Sequence, residues 1–483
     1  MKNIFITFAT ILLFAPASRA QWTNWQSAEF VIGQPDFTTT TSARSATGMG
    51  GPYSVAIDLQ HSKLYVGDPD NNRILRYAYP ITGNGPTAEM VFGQPNFTSD
   101  SVQDFYMKWG WWPDPTPRQI LYPLAMTVYN GDLWVLDENN TRVVRFSQAY
   151  SIAVNNPDAD LVIGQTTFTT RDYACTSNSF YTPYGLTIDG SGNLWVADAG
   201  NGRVLRFNDA SSLTNGASAD GVLGQTNFTT GAMASTPTQS QFGLASSLCF
   251  AGTTLWVCDH WFNRILRFDS AATKPNGANA DGVLGQGNFT SSTTGTTMST
   301  FNQPFGVCAD GKGNLYVTDQ LNSRTLIFLN ATTKSNGANA DNVLQEEHYN
   351  AVNLAIDNPN GKLFIADRMG CRVVEFAASG ALTDVQYNES EHYSDVPKQF
   401  RLSNYPNPFN PSTTISFNVP YKSSVVVDVC DVIGRTITTL MNKNLSPGNY
   451  KVAFDGSSLS SGVYYCRLRA GSVVQTQKLV LLK

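Results

Sequence analysis

The four histidines of the chain are the side chains most suited to hold a catalytic metal. His61 falls in a turn between two strand-like runs and His392 in a polar stretch, which leaves His260 and His348 as candidates. Two glutamates directly precede His348, so this group is the nearest approach to a ligand cluster. Two histidines are one short of the three-histidine set of many catalytic zinc sites. The sequence therefore predicts no bound metal and no other cofactor.

The seven cysteines form no C-x-x-C pair, and their odd number excludes complete pairing within the chain. Four of them lie inside apolar strand-like runs, where a cysteine is usually a small buried hydrophobe. These four are Cys249, Cys258, Cys308 and Cys466. Two disulfides, Cys249 with Cys258 and Cys430 with Cys466, are compatible with an oxidising compartment, and the sequence does not choose between pairing and free thiols.

Clustered aromatic residues form the most distinctive candidate site. An insert at 105–112 reads Phe-Tyr-Met-Lys-Trp-Gly-Trp-Trp, and a loop at 259–262 reads Asp-His-Trp-Phe. Flat rings with polar edges suit sugars and extended peptides. We therefore predict a surface that binds a glycan or a protein. Its residues are Tyr106, Trp109, Trp111, Trp112, His260 and Trp261. In the alternative interpretation, these rings pack on the strands beneath them as a local core.

Nucleophile and phosphate-binding motifs are absent from the sequence, which has no G-x-S-x-G elbow and no glycine-rich loop ending in lysine. No catalytic residue is therefore predicted. The chain has 32 Lys and Arg against 37 Asp and Glu, which gives a formal net charge of -5. This balance argues against a protein that binds nucleic acid by neutralising phosphates. A charged fraction of 14% with 12% aromatic residues is typical of a β-rich extracellular protein.

Residues 1–20 have the pattern of a secretory signal peptide. Lys2 precedes an apolar run at 4–14, and Ser18-Arg19-Ala20 offers small residues for cleavage. A segment that crosses a bilayer needs about 20 residues, and this apolar run is shorter. No later apolar stretch approaches that length. The sequence therefore predicts an exported protein without an integral membrane segment.

A repeated phrase predicts the architecture of the next 350 or so residues. Six strand-like runs end in an aspartate that an arginine follows five residues later. The pairs are Asp68–Arg73, Asp137–Arg142, Asp198–Arg203, Asp259–Arg264, Asp319–Arg324 and Asp367–Arg372. The strand-like runs and Gly/Asn/Asp turns around each pair predict six four-stranded antiparallel units, as in the blades of a β-propeller. A pair that recurs in every unit is expected to stabilise the fold.

A second phrase, which ends in Gly-Gln, indicates how the ring closes. Its first copy, at 30–34, precedes the first Asp–Arg pair, and no copy follows the last pair. We predict that residues 30–33 pair with residues 372–376 as the outer strand of the sixth unit. Such pairing removes two edges that would otherwise lack partners.

The Val-x-Asp and Asn-x-Arg phrases resemble the NHL repeat over roughly residues 26–378. The resemblance implies an all-β fold, a six-bladed β-propeller. Propeller lyases with such repeats bind zinc through histidines. The resemblance therefore implies an alternative function, that of a metal-dependent lyase or lactonase with a site on the propeller axis.

The last 85 or so residues contain a different module. The opening Tyr-Pro-Asn-Pro-Phe-Asn-Pro at 405–411, Gly-Val-Tyr-Tyr at 462–465 and the closing Lys-Leu-Val-Leu-Leu-Lys resemble the C-terminal sorting domain of type IX secretion substrates. Alternating runs within the module predict a small Ig-like β-sandwich. The resemblance implies contact with the type IX secretion machinery and export to the cell surface or the medium.

These patterns predict four segments. They are a signal peptide at 1–20, a propeller at 21–378, a linker at 379–397 and a sorting domain at 398–483. The function that we expect first is a non-catalytic binding or scaffold module for a glycan or a protein, and the metal-dependent enzyme is the alternative.

Overall fold

A computed structural model describes most of the chain. The described residues are 22, 24, 26–110, 112–345, 350–378, 401–405, 407–419, 423–445, 448–470 and 473–482. The predicted signal peptide and linker lie outside them. The chain divides into two compact units, Met1–Val385 and Gln386–Lys483. Within the described residues, no helix has the length and apolar character needed to cross a membrane.

Six four-stranded antiparallel sheets build the first unit. A short strand, β1 (Phe30–Ile32), precedes them. Sheet 1 contains β2 (Ser54–Asp58), β3 (Lys63–Asp68), β4 (Arg73–Ala78) and β5 (Met90–Phe92). Sheet 2 contains β6 (Pro123–Tyr129), β7 (Asp132–Asp137), β8 (Arg142–Phe146) and β9 (Leu161–Ile163). Sheet 3 contains β10 (Gly185–Ile188), β11 (Leu194–Asp198), β12 (Arg203–Phe207) and β13 (Gly221–Leu223).

The remaining sheets repeat this order. Sheet 4 contains β14 (Ala245–Ala251), β15 (Thr254–Asp259), β16 (Arg264–Phe268) and β17 (Gly282–Leu284). Sheet 5 contains β18 (Pro304–Ala309), β19 (Leu315–Asp319), β20 (Arg324–Phe328) and β21 (Asn342–Gln345). Sheet 6 contains β22 (Ala351–Asp357), β23 (Lys362–Asp367) and β24 (Arg372–Ala377), with β1 as its fourth strand. The short strands are rich in β-branched, leucine and aromatic residues, which fit a pleated surface buried on both faces.

The first strand of each sheet contacts the first strands of its two neighbours, so the six sheets form a closed ring. These strands are β2, β6, β10, β14, β18 and β22. They surround a central cavity of about 390 Å³. Apolar clusters between neighbouring sheets bury the faces of the strands and form the core. The predicted six-bladed propeller is confirmed.

The N-terminal strand closes the ring as predicted. Phe30 pairs with Glu375 and Ile32 with Val373, so β1 is the outer strand of sheet 6. The segment before it is held as well, because the indole N–H of Trp22 donates to the Tyr316 hydroxyl at 2.9 Å. Closure therefore depends on side chains as well as on strand pairing.

One asparagine contact links every sheet to the next. The backbone N–H of a valine in each outer strand donates to an asparagine side chain of the following sheet, at 3.0–3.2 Å. The acceptors are Asn84, Asn155, Asn215, Asn276, Asn336 and Asn24. Asn24 lies before β1, so the N-terminal segment supplies the sixth copy of a contact that the other five connections supply in turn.

A helical insert interrupts the repeat between sheets 1 and 2. It contains α1 (Ser101–Trp109), the one α-helix among the described residues. Short 3₁₀ turns are also described, and each follows either the second or the third strand of a sheet. They are Pro69–Asn71, Glu138–Asn140, Ala199–Asn201, Ala210–Ser212, His260–Phe262, Ala271–Thr273, Gln320–Asn322 and Ala331–Thr333.

The second unit is a sandwich of a three-stranded and a four-stranded sheet. Its strands are β25 (Arg401–Tyr405), β26 (Ser412–Val419), β27 (Ser423–Cys430), β28 (Thr436–Leu445), β29 (Gly448–Asp455), β30 (Gly462–Ala470) and β31 (Val473–Leu481). Apolar residues that alternate along the strands, such as Val425, Val427 and Val429, form its core. The predicted Ig-like sandwich is confirmed. All seven cysteines of the chain are free thiols in the structure.

Candidate functional site

The repeated Asp–Arg pairs are structural, as their recurrence predicts. In each sheet the arginine Nε lies 2.7–3.0 Å from an aspartate Oδ2, and every aspartate side chain of the six is fully buried. In sheets 1 to 5 the other aspartate oxygen accepts backbone N–H groups from the start of the same sheet, such as that of Leu121 on Asp137. The arginine also donates to carbonyls of the following loop, such as that of Phe168 from Arg142. Each pair therefore ties together the connections at one end of its sheet.

We call that end of the ring the upper face. It carries the connections from second to third strands and those from fourth strands to the next sheet, because strand direction alternates within each sheet. The residue directly after the shared aspartate, which we call the variable position, lies on this face and differs in all six sheets. Its occupants are Pro69, Glu138, Ala199, His260, Gln320 and Arg368.

Three rings from alternate sheets close the upper end of the central cavity. Tyr53, Tyr184 and Phe305 lie at or directly before the start of β2, β10 and β18, three of the strands that line the cavity. The ring of Phe305 lies 5.3 Å from that of Tyr53 and 6.2 Å from that of Tyr184. Because sheets 1, 3 and 5 are not neighbours, these contacts cross the axis. We call these three rings, together with Tyr122, Glu138, His260 and Arg368, the axial cluster.

Arg368 holds one side of the axial cluster. Its guanidinium donates to the Tyr122 hydroxyl at 2.8 Å and to Asp70 at 3.1 Å. Its central carbon also lies over the rings of Tyr53 and Tyr122, at 5.6 and 5.9 Å. These contacts join the turn of sheet 6 to sheet 1 and to Tyr122 at the start of sheet 2. The positive charge of Arg368 is therefore already engaged within the protein.

Glu138, unlike Arg368, has a charge that is not engaged by another described residue. Its carboxylate makes no hydrogen bond or ion pair with any residue that the structure describes. Burial, together with the neighbouring charge of Asp137, raises the pKa of Glu138 from 4.5 to about 7. Its negative charge in turn raises the pKa of Tyr184, after the larger effect of burial. Glu138 is thus a poorly solvated carboxyl group that borders the rings on the axis.

His260 borders the same rings from sheet 4. Its ring lies edge-on to Phe305 at 5.4 Å, and Nδ1 lies 3.1 Å from the carbonyl oxygen of Pro304. A carbonyl only accepts, so Nδ1 carries the proton and Nε2 is left as an acceptor. Burial lowers the pKa of His260, and the imidazole is neutral at pH 7 and above.

The predicted aromatic residues divide between two places on the upper face. Tyr106 on α1 stacks on Trp112 with ring centroids 4.3 Å apart, and Trp109 ends the same helix. Trp111 lies outside the described residues. His260 and Trp261 lie in the turn after the second strand of sheet 4, and sheets 2 and 3 separate this turn from the insert along the chain. Trp261 is 48% exposed, and only His260 belongs to the axial cluster.

Sequence reasoning missed most of the axial cluster, although the signal was present. The six repeats form an internal alignment in which the aspartate is constant and the next residue is never repeated. Positions that hold a repeated fold stay the same, while positions that serve one site need not. Reading down the variable position would have found Glu138 and Arg368. The rings of Tyr53, Tyr184 and Phe305 required the strand register.

The enzymatic alternative needs a set of metal ligands. In the part of the chain that the structure describes, no group of three or more His, Cys, Asp or Glu side chains could hold a metal ion. Glu346, Glu347 and His348 lie outside that part. The cavity below the axial cluster is lined by apolar side chains and by Thr127, Thr187, Ser247 and two asparagines.

Two family models match the chain. Residues 403–482 match the secretion system C-terminal sorting domain, and residues 180–207, from before β10 to the end of β12, match the NHL repeat. A comparison with curated protein sequences finds no match.

Solved structures with similar folds include three from bacteria. PorZ of Porphyromonas gingivalis, a surface component of the type IX secretion system, is 13% identical, with 89% of this chain and 51% of that chain covered and a TM-score of 0.37. A gluconolactonase of Xanthomonas campestris is 15% identical, with 73% and 99% covered and a TM-score of 0.42. Virginiamycin B lyase of Staphylococcus aureus is 12% identical, with 68% and 85% covered and a TM-score of 0.34. The chain spans about half the length of PorZ.

The two matched models agree with the two folded units. The repeated four-stranded sheets extend the matched repeat around the whole ring. The sandwich coincides with the matched sorting domain. The chain is therefore an NHL-repeat six-bladed β-propeller that ends in a type IX secretion sorting domain.

Proposed function

We propose that this exported protein is a binding module that captures a glycan or protein ligand on the upper face of its propeller. The observation that carries the proposal is the variable position, where a constant scaffold presents six different residues around the axis. Departures from a repeat on one face of the scaffold are typical of a binding surface. In this proposal the sorting domain directs the export of the protein, and the propeller binds the ligand.

Exposed apolar side chains on the same face support this proposal. Trp261, Leu321 and Met369 occupy one equivalent position, directly after the variable position, in sheets 4, 5 and 6. They are 48%, 56% and 62% exposed. The Tyr106–Trp112 stack lies elsewhere on this face. Exposed aromatic and apolar side chains beside buried polar groups are the usual composition of a protein-binding or glycan-binding surface.

Retention of the full-length protein on glycan and protein arrays tests this proposal. We expect binding to selected spots, and we expect Trp261→Ala and Trp112→Ala each to weaken it, because aromatic anchors are typically worth about 2 kcal/mol or more in a buried interface. Leu59→Ala is the matched control, since Leu59 is 40% exposed in the turn that follows β2 at the opposite face. Binding that Leu59→Ala weakens as much as the two tryptophan variants would place the ligand elsewhere.

The enzymatic alternative has one observation in its favour. Glu138, with a pKa of about 7, and the neutral His260 border the same rings, and such groups serve general acid–base catalysis. A panel of lactones and of lyase substrates tests it. Turnover that Glu138→Gln abolishes while Leu59→Ala keeps it would favour an enzyme over a binding module.

A further inference from the structure

We infer that the axial cluster is a site for a primary ammonium group on an apolar stem, presented by a lysine side chain of a protein ligand. The inference rests on the proposed binding function and names the chemistry that the upper face selects. It concerns Glu138, His260 and the rings between them.

The unengaged polar groups of the axial cluster among the described residues are the Glu138 carboxylate, Nε2 of His260 and the hydroxyls of Tyr53 and Tyr184, and all of them can accept a hydrogen bond. Glu138 carries a carboxylate without a partner among the described residues, and His260 carries an acceptor at Nε2. The one cation of the cluster, Arg368, already binds Asp70 and Tyr122. A ligand that supplies N–H donors and a positive charge complements the carboxylate and the other acceptors together. An ammonium group supplies three donors and one charge.

The contrast with the rest of the propeller strengthens this inference. All six shared aspartates are buried beside Glu138 or its equivalents, and each is neutralised by an arginine. Glu138 is only partly buried, but withdrawing a carboxylate from water without a partner still costs free energy. Glu138 follows one of these aspartates directly, so the chain neutralises one carboxylate and leaves its neighbour open. A cation from outside the chain would complete the arrangement.

The rings supply the remaining recognition. Tyr184, whose pKa the charge of Glu138 raises, contacts Phe305, and Phe305 contacts His260. Tyrosine and phenylalanine faces attract cations. The exposed side chains of Trp261, Leu321 and Met369 lie one residue outward on the same loops. Leucine and methionine suit the aliphatic stem of lysine and apolar neighbours in a protein. A sugar instead stacks on flat rings, and two of these three exposed side chains, Leu321 and Met369, are not rings, so the exposed residues favour a protein over an amino sugar.

Titration of the surrounding groups makes the inference measurable. Asp137 is paired with Arg142, and Arg368 keeps its charge. The hydroxyl groups of Tyr53, Tyr122 and Tyr184 have raised pKa values and stay protonated. The pKa of His260 is lowered by burial. Between pH 6.5 and 8, Glu138 is therefore the group in the cluster whose charge changes, and ammonium binding should strengthen as pH rises.

Calorimetric titration of the full-length protein tests the inference with three probes. They are acetyl-Leu-Lys-Leu-amide, the same peptide with Nε-acetyllysine, and glucosamine. At pH 8 we expect the lysine peptide to bind about tenfold or more tightly than the acetylated peptide, because acetylation removes the charge. Glu138→Gln should abolish this preference and its pH dependence. Glu29→Gln, which removes an equal charge at the exposed residue before β1, should keep both.

Each other result overturns the inference in a distinct way. A preference for the lysine peptide that survives Glu138→Gln would place the ammonium elsewhere. Glucosamine binding that depends on Glu138, without binding of the lysine peptide, would assign the site to an amino sugar. Array binding without any response to amines would reject the ammonium site and leave the proposed function standing. Absence of array binding as well would reject the proposed function.

Discussion

Three residues of the axial cluster, Glu138, His260 and Arg368, each directly follow the aspartate of a shared Asp–Arg pair, yet they differ from the pairs in burial, charge and recurrence. The pairs are buried, neutralised and the same in six sheets. The axial residues include an open carboxyl, a neutral imidazole and an engaged guanidinium, each present once. A repeated sequence can therefore separate residues that hold a fold from residues that serve one site, without any related sequence for comparison.

Removing one partner of a shared pair should give the largest loss of stability. Arg203→Met leaves Asp198 buried without its counter-ion and removes donors from the carbonyls of Thr176 and Ser179. Loss of one partner of a buried pair typically costs about 3–5 kcal/mol. Urea unfolding of the full-length protein measures it. Arg118→Met, which breaks the exposed pair with Asp158, is the control and should show no measurable loss. Equal losses in both variants would remove the structural distinction.

Glu138→Gln should act in the opposite direction, and only at high pH. The folded-state pKa of about 7 exceeds the ordinary 4.5, so between these values the native protein holds a proton that the unfolded chain has lost. Stability of the parent protein should therefore fall as pH rises from about 4.5 to about 7, by about 3 kcal/mol. The amide of the Glu138→Gln variant does not titrate, so this variant should escape the fall. Unfolding at pH 4.5 and pH 8 measures the difference, and parallel pH profiles would show that Glu138 is well solvated.

Trp112→Ala should have the smallest effect on stability. The half-buried ring makes one described stacking contact, with Tyr106, and an aromatic pair is worth about 0.5–1.5 kcal/mol. Trp134→Ala is the control of the same residue type, because Trp134 is 1% exposed within sheet 2 and its loss should cost about 3–5 kcal/mol. Thermal unfolding compares the two. Similar losses would identify the insert as local core, the alternative to a binding surface.

The sequence predicted the propeller well because its determinants are local and repeated. Six Asp–Arg phrases with constant spacing, such as Asp198–Arg203, mark the turn between the second and third strands of every sheet. Closure by residues 30–32 followed from counting the outer-strand phrases. Both predictions needed only the spacing and the number of the repeated phrases.

Most of the axial cluster was not predicted, because the local sequence does not show which residues of different sheets meet at the propeller axis. Tyr53 and Phe305 meet across the axis although they come from sheets 1 and 5. Their meeting depends on strand register and on the number of sheets. The prediction favoured segments with several aromatic residues close together in sequence, such as the insert at 105–112, because such residues are also expected to lie close together in space. Glu138, a single residue in an ordinary turn, gave no such signal.

Pairing of β1 with β24 also bears on the speed of folding. Sheets 1 to 5 pair strands that are neighbours in sequence, whereas sheet 6 pairs the two ends of the propeller. Contacts between distant residues form slowly, because the entropy of closing the loop is lost before any contact is gained. Sheets 1 to 5 should therefore form first, while β1 and β24 present open edges to other chains. The rate of this last step, more than final stability, then governs how long the newly made protein is prone to aggregation.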